Sequence, residues 1–167
     1  MKKTHYNVAV LGATGAVGEV MLQILEQRKF PVDQLYLLSS SRSAGGRLPF
    51  RGKQVLVQDA AGFDWSQVDI GLFSAGAKVS AQFAPLAAEA GCVVIDNTSQ
   101  YRYDDDIPLV VPEVNPQRIA DHVNRGIIAN PNCSTIQMLL ALKPIADAVG
   151  IERVVVATYQ AVSGAGK

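Results

Sequence analysis

Charge of either sign is scarce in this sequence of 167 residues: fifteen Lys and Arg cancel fifteen Asp and Glu, and only 18% of the residues are charged. A chain without net charge has no global basic field to gather nucleic acid or an anionic membrane, so neither partner is expected. Long apolar runs are missing too. Nothing approaches the roughly 18 continuous apolar residues of a membrane span, and the run at 8–11 behind Lys2 and Lys3 stops at Gly12, too short for a signal-peptide core. Cysteine is limited to Cys92 and Cys133, and histidine to His5 and His122. Two cysteines make no disulfide framework in a chain this long, and no cluster has metal-ligand spacing. The expectation is a soluble cytoplasmic protein with free thiols and no metal. Apolar residues, by contrast, make up 49% of the chain, which excludes disorder and gives a core for one domain with room for part of a second.

Strand-like runs alternate with amphipathic segments. Residues 6–11 read as a strand, 17–27 as a helix and 35–39 as a strand, the order of a parallel βαβ unit. A hairpin follows at 47–50 and 54–57, turned at Arg51-Gly52-Lys53. Residues 69–74 read as a buried strand, 79–90 as an Ala-rich helix and 92–96 as a strand. After an irregular stretch at 101–115, Pro116 opens a short polar helix, and 127–129 form a brief strand. The apolar segment 136–149 has helical periodicity that Pro144 is expected to kink or split, and 152–160 reads as a final strand. The fold class is α/β: a doubly wound, Rossmann-type parallel sheet.

Gly12-Ala13-Thr14-Gly15-Ala16-Val17-Gly18 directly follows the first strand and opens a helix. Glycines there let the backbone turn tightly and approach a pyrophosphate, which the helix N-terminus then stabilises. A bare G-x-x-G-x-x-G is weak evidence, but between strand and helix it points to nucleotide binding. At the end of the second strand, where a carboxylate would hold the ribose 2′-OH of NAD, the sequence is Ser39-Ser40-Ser41-Arg42-Ser43-Ala44-Gly45-Gly46. Arg42 and its hydroxyl neighbours suit a 2′-phosphate, so NADP(H) is the expected cofactor. Cys133, in Asn-Pro-Asn-Cys-Ser-Thr, stands at the mouth of a helix whose unpaired N–H groups favour thiolate, the nucleophilic form. Cys92, inside an apolar strand, reads as a small core residue.

The chain resembles the N-terminal part of the bacterial-type aspartate-semialdehyde dehydrogenases. The matching segments are Gly-Ala-Thr-Gly-Ala-Val-Gly at 12–18, Ser-Ser-Arg-Ser-Ala-Gly at 40–45, Phe-Ser-Ala-Gly at 73–76, Asp-Asn-Thr-Ser at 96–99, Val-Pro-Glu-Val-Asn at 111–115, Asn-Pro-Asn-Cys-Ser-Thr at 130–135 and Tyr-Gln-Ala-Val-Ser-Gly-Ala-Gly at 159–166. They stand in the family's order and cover the chain almost end to end; none is specific alone, but jointly they are.

The resemblance implies that Cys133 is the acyl-thioester nucleophile and Gln160 a substrate-orienting amide. It implies that Arg102, with Asn132 beside it, binds the substrate's phosphate or inorganic phosphate, and that Thr14, Gly15, Ala16 and Val17 hold the cofactor pyrophosphate. Arg42 and Ser43 would take the 2′-phosphate, and Ser163 and Gly164 the nicotinamide side. Arg102 offers a donor fork that suits phosphate, although an ion pair with neighbouring Asp104, Asp105 or Asp106 competes with that role. The implied reaction is NADPH-dependent reductive dephosphorylation of L-aspartyl 4-phosphate to aspartate 4-semialdehyde and phosphate, serving lysine and diaminopimelate, threonine, methionine and isoleucine synthesis. Neither His5 nor His122 belongs to the family's catalytic motif, whose histidine and carboxylate-binding arginine lie further along a chain about twice as long. The expectation is therefore an N-terminal portion, with an NADP-binding domain at 1–132, the opening helix and strand of an α+β catalytic and dimerisation domain at 133–167, and a homodimer when full length. A non-catalytic NADP-binding or interaction module remains open, since no general base is evident.

Overall fold

The computed structural model describes residues 3–159. The expected strand β1 spans Tyr6–Leu11, helix α1 Ala16–Gln27 and strand β2 Val32–Ser39. The hairpin is β3, Arg47–Phe50, and β4, Lys53–Asp59, joined at Arg51 and Gly52, both with positive φ. Then come β5 at Ile70–Phe73, α2 at Ala77–Glu89, β6 at Val93–Asp96, a 3-10 helix at Pro116–Asn124, β7 at Ile127–Ala129 and α3 at Cys133–Val149.

The seven strands form one sheet in the order β3-β4-β2-β1-β5-β6-β7, parallel except for the β3–β4 hairpin. Central β1 explains why its sequence is apolar without alternation. Val8 and Val10 enter a core with Leu22 of α1, whereas Ala9 and Leu11 enter the core on the other face with Phe83, Ala84 and Ala87 of α2. A strand covered on both faces needs apolar side chains on both. The chain moves outward from β1 to β2 and β4 on one side, and to β5, β6 and β7 on the other. The strand order thus reverses between β1 and β5, and a ligand crevice forms at the C-terminal ends of strands at such a point.

The glycine corner is set by contact as well as by conformation. Gly12 has φ +90°, and a Cβ there would lie 3.0 Å from the Ala75 nitrogen in the loop after β5. A Cβ on Gly18 would lie 2.3 Å from the Gly12 carbonyl oxygen and 2.7 Å from Ala13 Cα, so only glycine lets α1 seat against its own entry loop.

One expected strand is absent among the described residues, and one expected helix starts earlier than its sequence suggests. Residues 152–159 form no strand, and Val155 and Tyr159 are 89% and 99% exposed. Valine-rich sequence favours extended backbone, but a strand exists only with a ladder partner, and no described residue supplies one here. Helix α3 starts at Cys133, ahead of the expected 136, and runs through Pro144 without being split. The carbonyl that Pro144 leaves without its N–H belongs to Leu140, a residue 43% exposed, so water can satisfy it. No residue of α3 is buried, despite its apolar sequence. Gln160, Ser163 and Gly164 lie outside the described residues.

Candidate functional site

A cleft of about 1060 Å³ runs along the C-terminal ends of the strands. Its middle is the glycine corner: Gly12, Thr14, Gly15, Ala16 and Val17 all line it. Helix α1 begins there with Gly15 as its N-cap and no side-chain capping bond, so its first-turn N–H groups are open to an external acceptor. The Gly12 N–H is instead spent on the Leu38 carbonyl of β2 at 2.9 Å, which fixes the corner to the sheet.

Outward from the corner stands the turn that follows β2. Ser43 and Ala44 both donate their N–H groups to the Ser40 carbonyl, at 2.9 and 3.0 Å, and the tight turn carries exposed Arg42 and Ser43 into the cleft wall. Arg42 makes no hydrogen bond or ion pair with any described residue. Its guanidinium is therefore available to a ligand.

At the other end of the cleft, Arg102 settles the competition posed by the sequence. Its Nε donates to the Asn130 carbonyl at 3.0 Å and its Nη2 to the Asn97 carbonyl at 3.2 Å. The aspartates do not capture it: Asp106 instead pairs with Arg125 at 3.1 Å. Two carbonyls neutralise no charge, so the guanidinium is oriented while its positive charge and its Nη1 stay available. Asn97, Asn132 and Arg102 line this end together.

Sequence reading missed the support behind Arg102. Asp96, the last residue of β6, is fully buried and accepts from Ser80 Oγ at 2.8 Å, Thr98 Oγ1 at 2.8 Å and the Thr98 N–H at 3.1 Å. The Tyr101 hydroxyl donates to the Ser80 carbonyl at 3.2 Å. Burial, and next the Asp96 charge, raise the Tyr101 pKa above its ordinary value. This network shapes the turn that delivers the Asn97 carbonyl to Arg102. An aspartate ending an apolar strand two residues before a threonine is the legible signal of such a turn.

Cys133 is exposed and is the first residue of α3, next to cleft-lining Asn132. The helix mouth is less open than its sequence suggests. Asn132 caps it, its Oδ1 accepting the Ser134 N–H at 3.0 Å and the Ser134 hydroxyl at 2.6 Å, and Cys133 Sγ lies 3.9 Å from the same oxygen. Cys92 is 1% exposed, and burial, followed by the charge of Asp69, pushes its thiol up to about 12. Iodoacetamide at neutral pH should accordingly alkylate Cys133 at least ~10-fold faster than Cys92, as read by mass spectrometry of the digested chain; equal rates would contradict these environments. Neither His5 nor His122 lines the cleft. Among the described residues no helix is long and apolar enough to cross a membrane, and no group of three His, Cys, Asp or Glu side chains could hold a metal ion.

A mostly parallel doubly wound sheet, with a glycine-cornered and uncapped helix at its switch point, defines a dinucleotide-binding domain of the Rossmann type. Residues 7–122 match the family model for the semialdehyde dehydrogenase NAD-binding domain, and residues 142–167 match the one for the semialdehyde dehydrogenase dimerisation domain. The chain belongs to the semialdehyde dehydrogenase family, in agreement with the resemblance its motifs carry. Aspartate-semialdehyde dehydrogenase 2 of Vibrio cholerae is 70% identical over 163 residues, which cover 98% of this chain and 48% of the relative. The aspartate-semialdehyde dehydrogenase of Shewanella violacea is 68% identical over the same shares. The crystal structure of aspartate-semialdehyde dehydrogenase II from Vibrio cholerae superposes with a TM-score of 0.94 at 69% identity, over 97% of this chain and 48% of that one. The Candida albicans enzyme, solved with NADP, gives 0.73 at 30% identity over 88% and 48%. The chain spans about half the length of the curated relatives it matches.

Proposed function

We propose that this chain supplies the NADP-binding site, the phosphate site and the nucleophile for reductive dephosphorylation of L-aspartyl 4-phosphate to aspartate 4-semialdehyde. One observation carries the reading. The uncapped α1 terminus, an Arg42 with no hydrogen-bond or ion-pair partner among the described residues and a carbonyl-oriented Arg102 share one cleft, with Cys133 adjoining it.

The residues fit the cofactor. Gly12 admits a close backbone approach, the first turn of α1 offers N–H groups to the pyrophosphate with Thr14, Gly15, Ala16 and Val17 around it, and Arg42 with Ser43 receives the 2′-phosphate. When bound, the nicotinamide supplies the hydride. Cys133 sulfur attacks the acyl carbon, forming a C–S bond as the C–O bond to phosphate breaks. Arg102 and Asn132 hold the departing phosphate. Once the acyl carbon is reduced to the thiohemiacetal, breaking the C–S bond returns the sulfur and frees the aldehyde. Gln160 would orient the substrate, and Ser163 and Gly164 would face the nicotinamide; these three roles rest on family resemblance. The domain boundary falls between residues 132 and 133, and the unburied α3 opens the catalytic and dimerisation part of a cytoplasmic homodimer. The reaction places the protein in synthesis of lysine and diaminopimelate, threonine, methionine and isoleucine. The identity of the relatives as dehydrogenases favours this over a binding-only module.

The test is a fusion of this chain to the remaining half of the Vibrio cholerae relative, assayed spectrophotometrically for NADPH formation from aspartate semialdehyde, NADP and phosphate. Phosphate-dependent turnover is the expected result. A folded fusion that binds NADPH and stays inactive would sink the proposal.

A further inference from the structure

One wall of the cleft has no role in the reading above. Strand β4 lies beside β2 in parallel register, with their last residues Ser39 and Asp59 as partners. Asp59 therefore stands one strand outward from the 39–43 turn and two strands, about 10 Å, from the glycine corner. Its Oδ1 accepts the Ala61 N–H at 3.0 Å and caps the 3-10 turn Ala60–Gly62. Oδ2 has no partner among the described residues, and no ion pair joins Asp59 to Arg42, although both line the cleft. Beyond Asp59 the wall is Ala60, whose side chain is buried in the core, and exposed Ala61.

We propose that Asp59 is the base-reading residue of this site, its Oδ2 accepting an N–H of the cofactor's exocyclic 6-amino group and selecting a 6-aminopurine over a 6-oxopurine. The inference rests on the NADPH reading above. A dinucleotide with its pyrophosphate on α1 and its 2′-phosphate on Arg42 has its ribose over the end of β2, and the base on that ribose continues outward over β4. There exposed Ala61 offers an apolar contact to the ring, and Asp59 is a polar side chain at its edge. An ionised carboxylate accepts hydrogen bonds and donates none, so it pairs with an amine and opposes a carbonyl oxygen in the same place. Capping does not explain the choice of residue, because Asn or Ser caps as well as Asp. What Asp adds is the second acceptor.

The experiment is a fluorescence titration of this chain, and of Asp59→Asn and Asp59→Ser, with NADPH and with its 6-oxo analogue, reduced nicotinamide hypoxanthine dinucleotide phosphate. Both variants keep a capping oxygen for Ala61. The unsubstituted chain should prefer NADPH about tenfold or more. Asp59→Ser should bring the ratio close to one, and Asp59→Asn to one or below, because an amide can turn its N–H toward the 6-oxo group. A ratio unchanged by both substitutions, or an equal gain for both ligands through loss of charge alone, would overturn the proposal. Failure of the unsubstituted chain to bind NADPH at all would instead sink the cofactor reading on which it stands.

Discussion

In the fused enzyme, Cys133→Ala should abolish oxidation of aspartate semialdehyde, lowering kcat at least ~10⁴-fold, while NADPH binding stays within about twofold of the unsubstituted protein. The split between the two readouts follows from where the side chain sits. Cys133 is exposed, and α3 is capped by Asn132 through Ser134, not by the cysteine itself. Removing Sγ therefore takes away the nucleophile without opening a cavity or a helix end. The groups proposed to hold the cofactor, from Gly12 to Val17 and at Arg42, belong to other segments of the chain, the loop after β1 with the start of α1 and the turn after β2. Cys92→Ala is the matched control. Cys92 packs in the core with Ala87 and Val94, so its loss should lower thermal stability and leave kcat per folded molecule unchanged. Residual turnover above one percent in Cys133→Ala would mean that the acyl group is never carried on this sulfur.

How much of this was legible in the sequence depends on the range over which each feature is determined. The β1–α1–β2 unit was readable because its signals are local: an apolar strand buried on both faces, glycines where α1 meets the loop, and an amphipathic helix. The setting of Cys133 at a helix mouth was readable for the same reason. Three features were not, each because a distant segment decides it. Asp59 is not legible as part of the site because the ribose-binding carboxylate of a dinucleotide fold belongs at the end of β2, one strand away. The parallel register that sets it beside Ser39 arises twenty residues later, through the hairpin. The state of Arg102 depended on whether Asp106 would find another cation, and Arg125, from the loop before β7, supplies it. The segment 152–159 has strand propensity but no ladder partner among the described residues, so composition alone misled. The cap on α3 is an intermediate case. The sequence motif suggests Asn132 only as a phosphate neighbour, whereas its side chain also caps a helix that starts three residues ahead of the apolar periodicity.

Arg42→Glu should weaken NADPH binding to this chain about 100-fold or more while changing NADH binding less than about threefold. Arg42 is exposed and makes no hydrogen bond or ion pair with a described residue that its loss could disrupt, so the substitution is expected to act on the ligand and not on the fold. The two dinucleotides differ only at the ribose 2′ position, and in the proposed binding mode the side chain lies where that ribose would pass over the end of β2. Replacing a donor fork by a carboxylate removes charge-assisted hydrogen bonds and adds repulsion against a phosphate, neither of which a 2′-hydroxyl feels. Asp59, one strand further out, strengthens the contrast, because without Arg42 the 2′-phosphate would meet carboxylates on two adjacent strand ends. Two accompanying measurements separate geometry from charge. Arg42→Lys should hold an intermediate NADPH affinity, since an ammonium keeps the charge but lacks the planar fork. Raising the ionic strength should weaken NADPH more than NADH in the unsubstituted chain and should flatten that difference in the Glu variant. Equal losses for NADPH and NADH in Arg42→Glu would show that the arginine holds the loop, and that the 2′-phosphate is read elsewhere in the cleft.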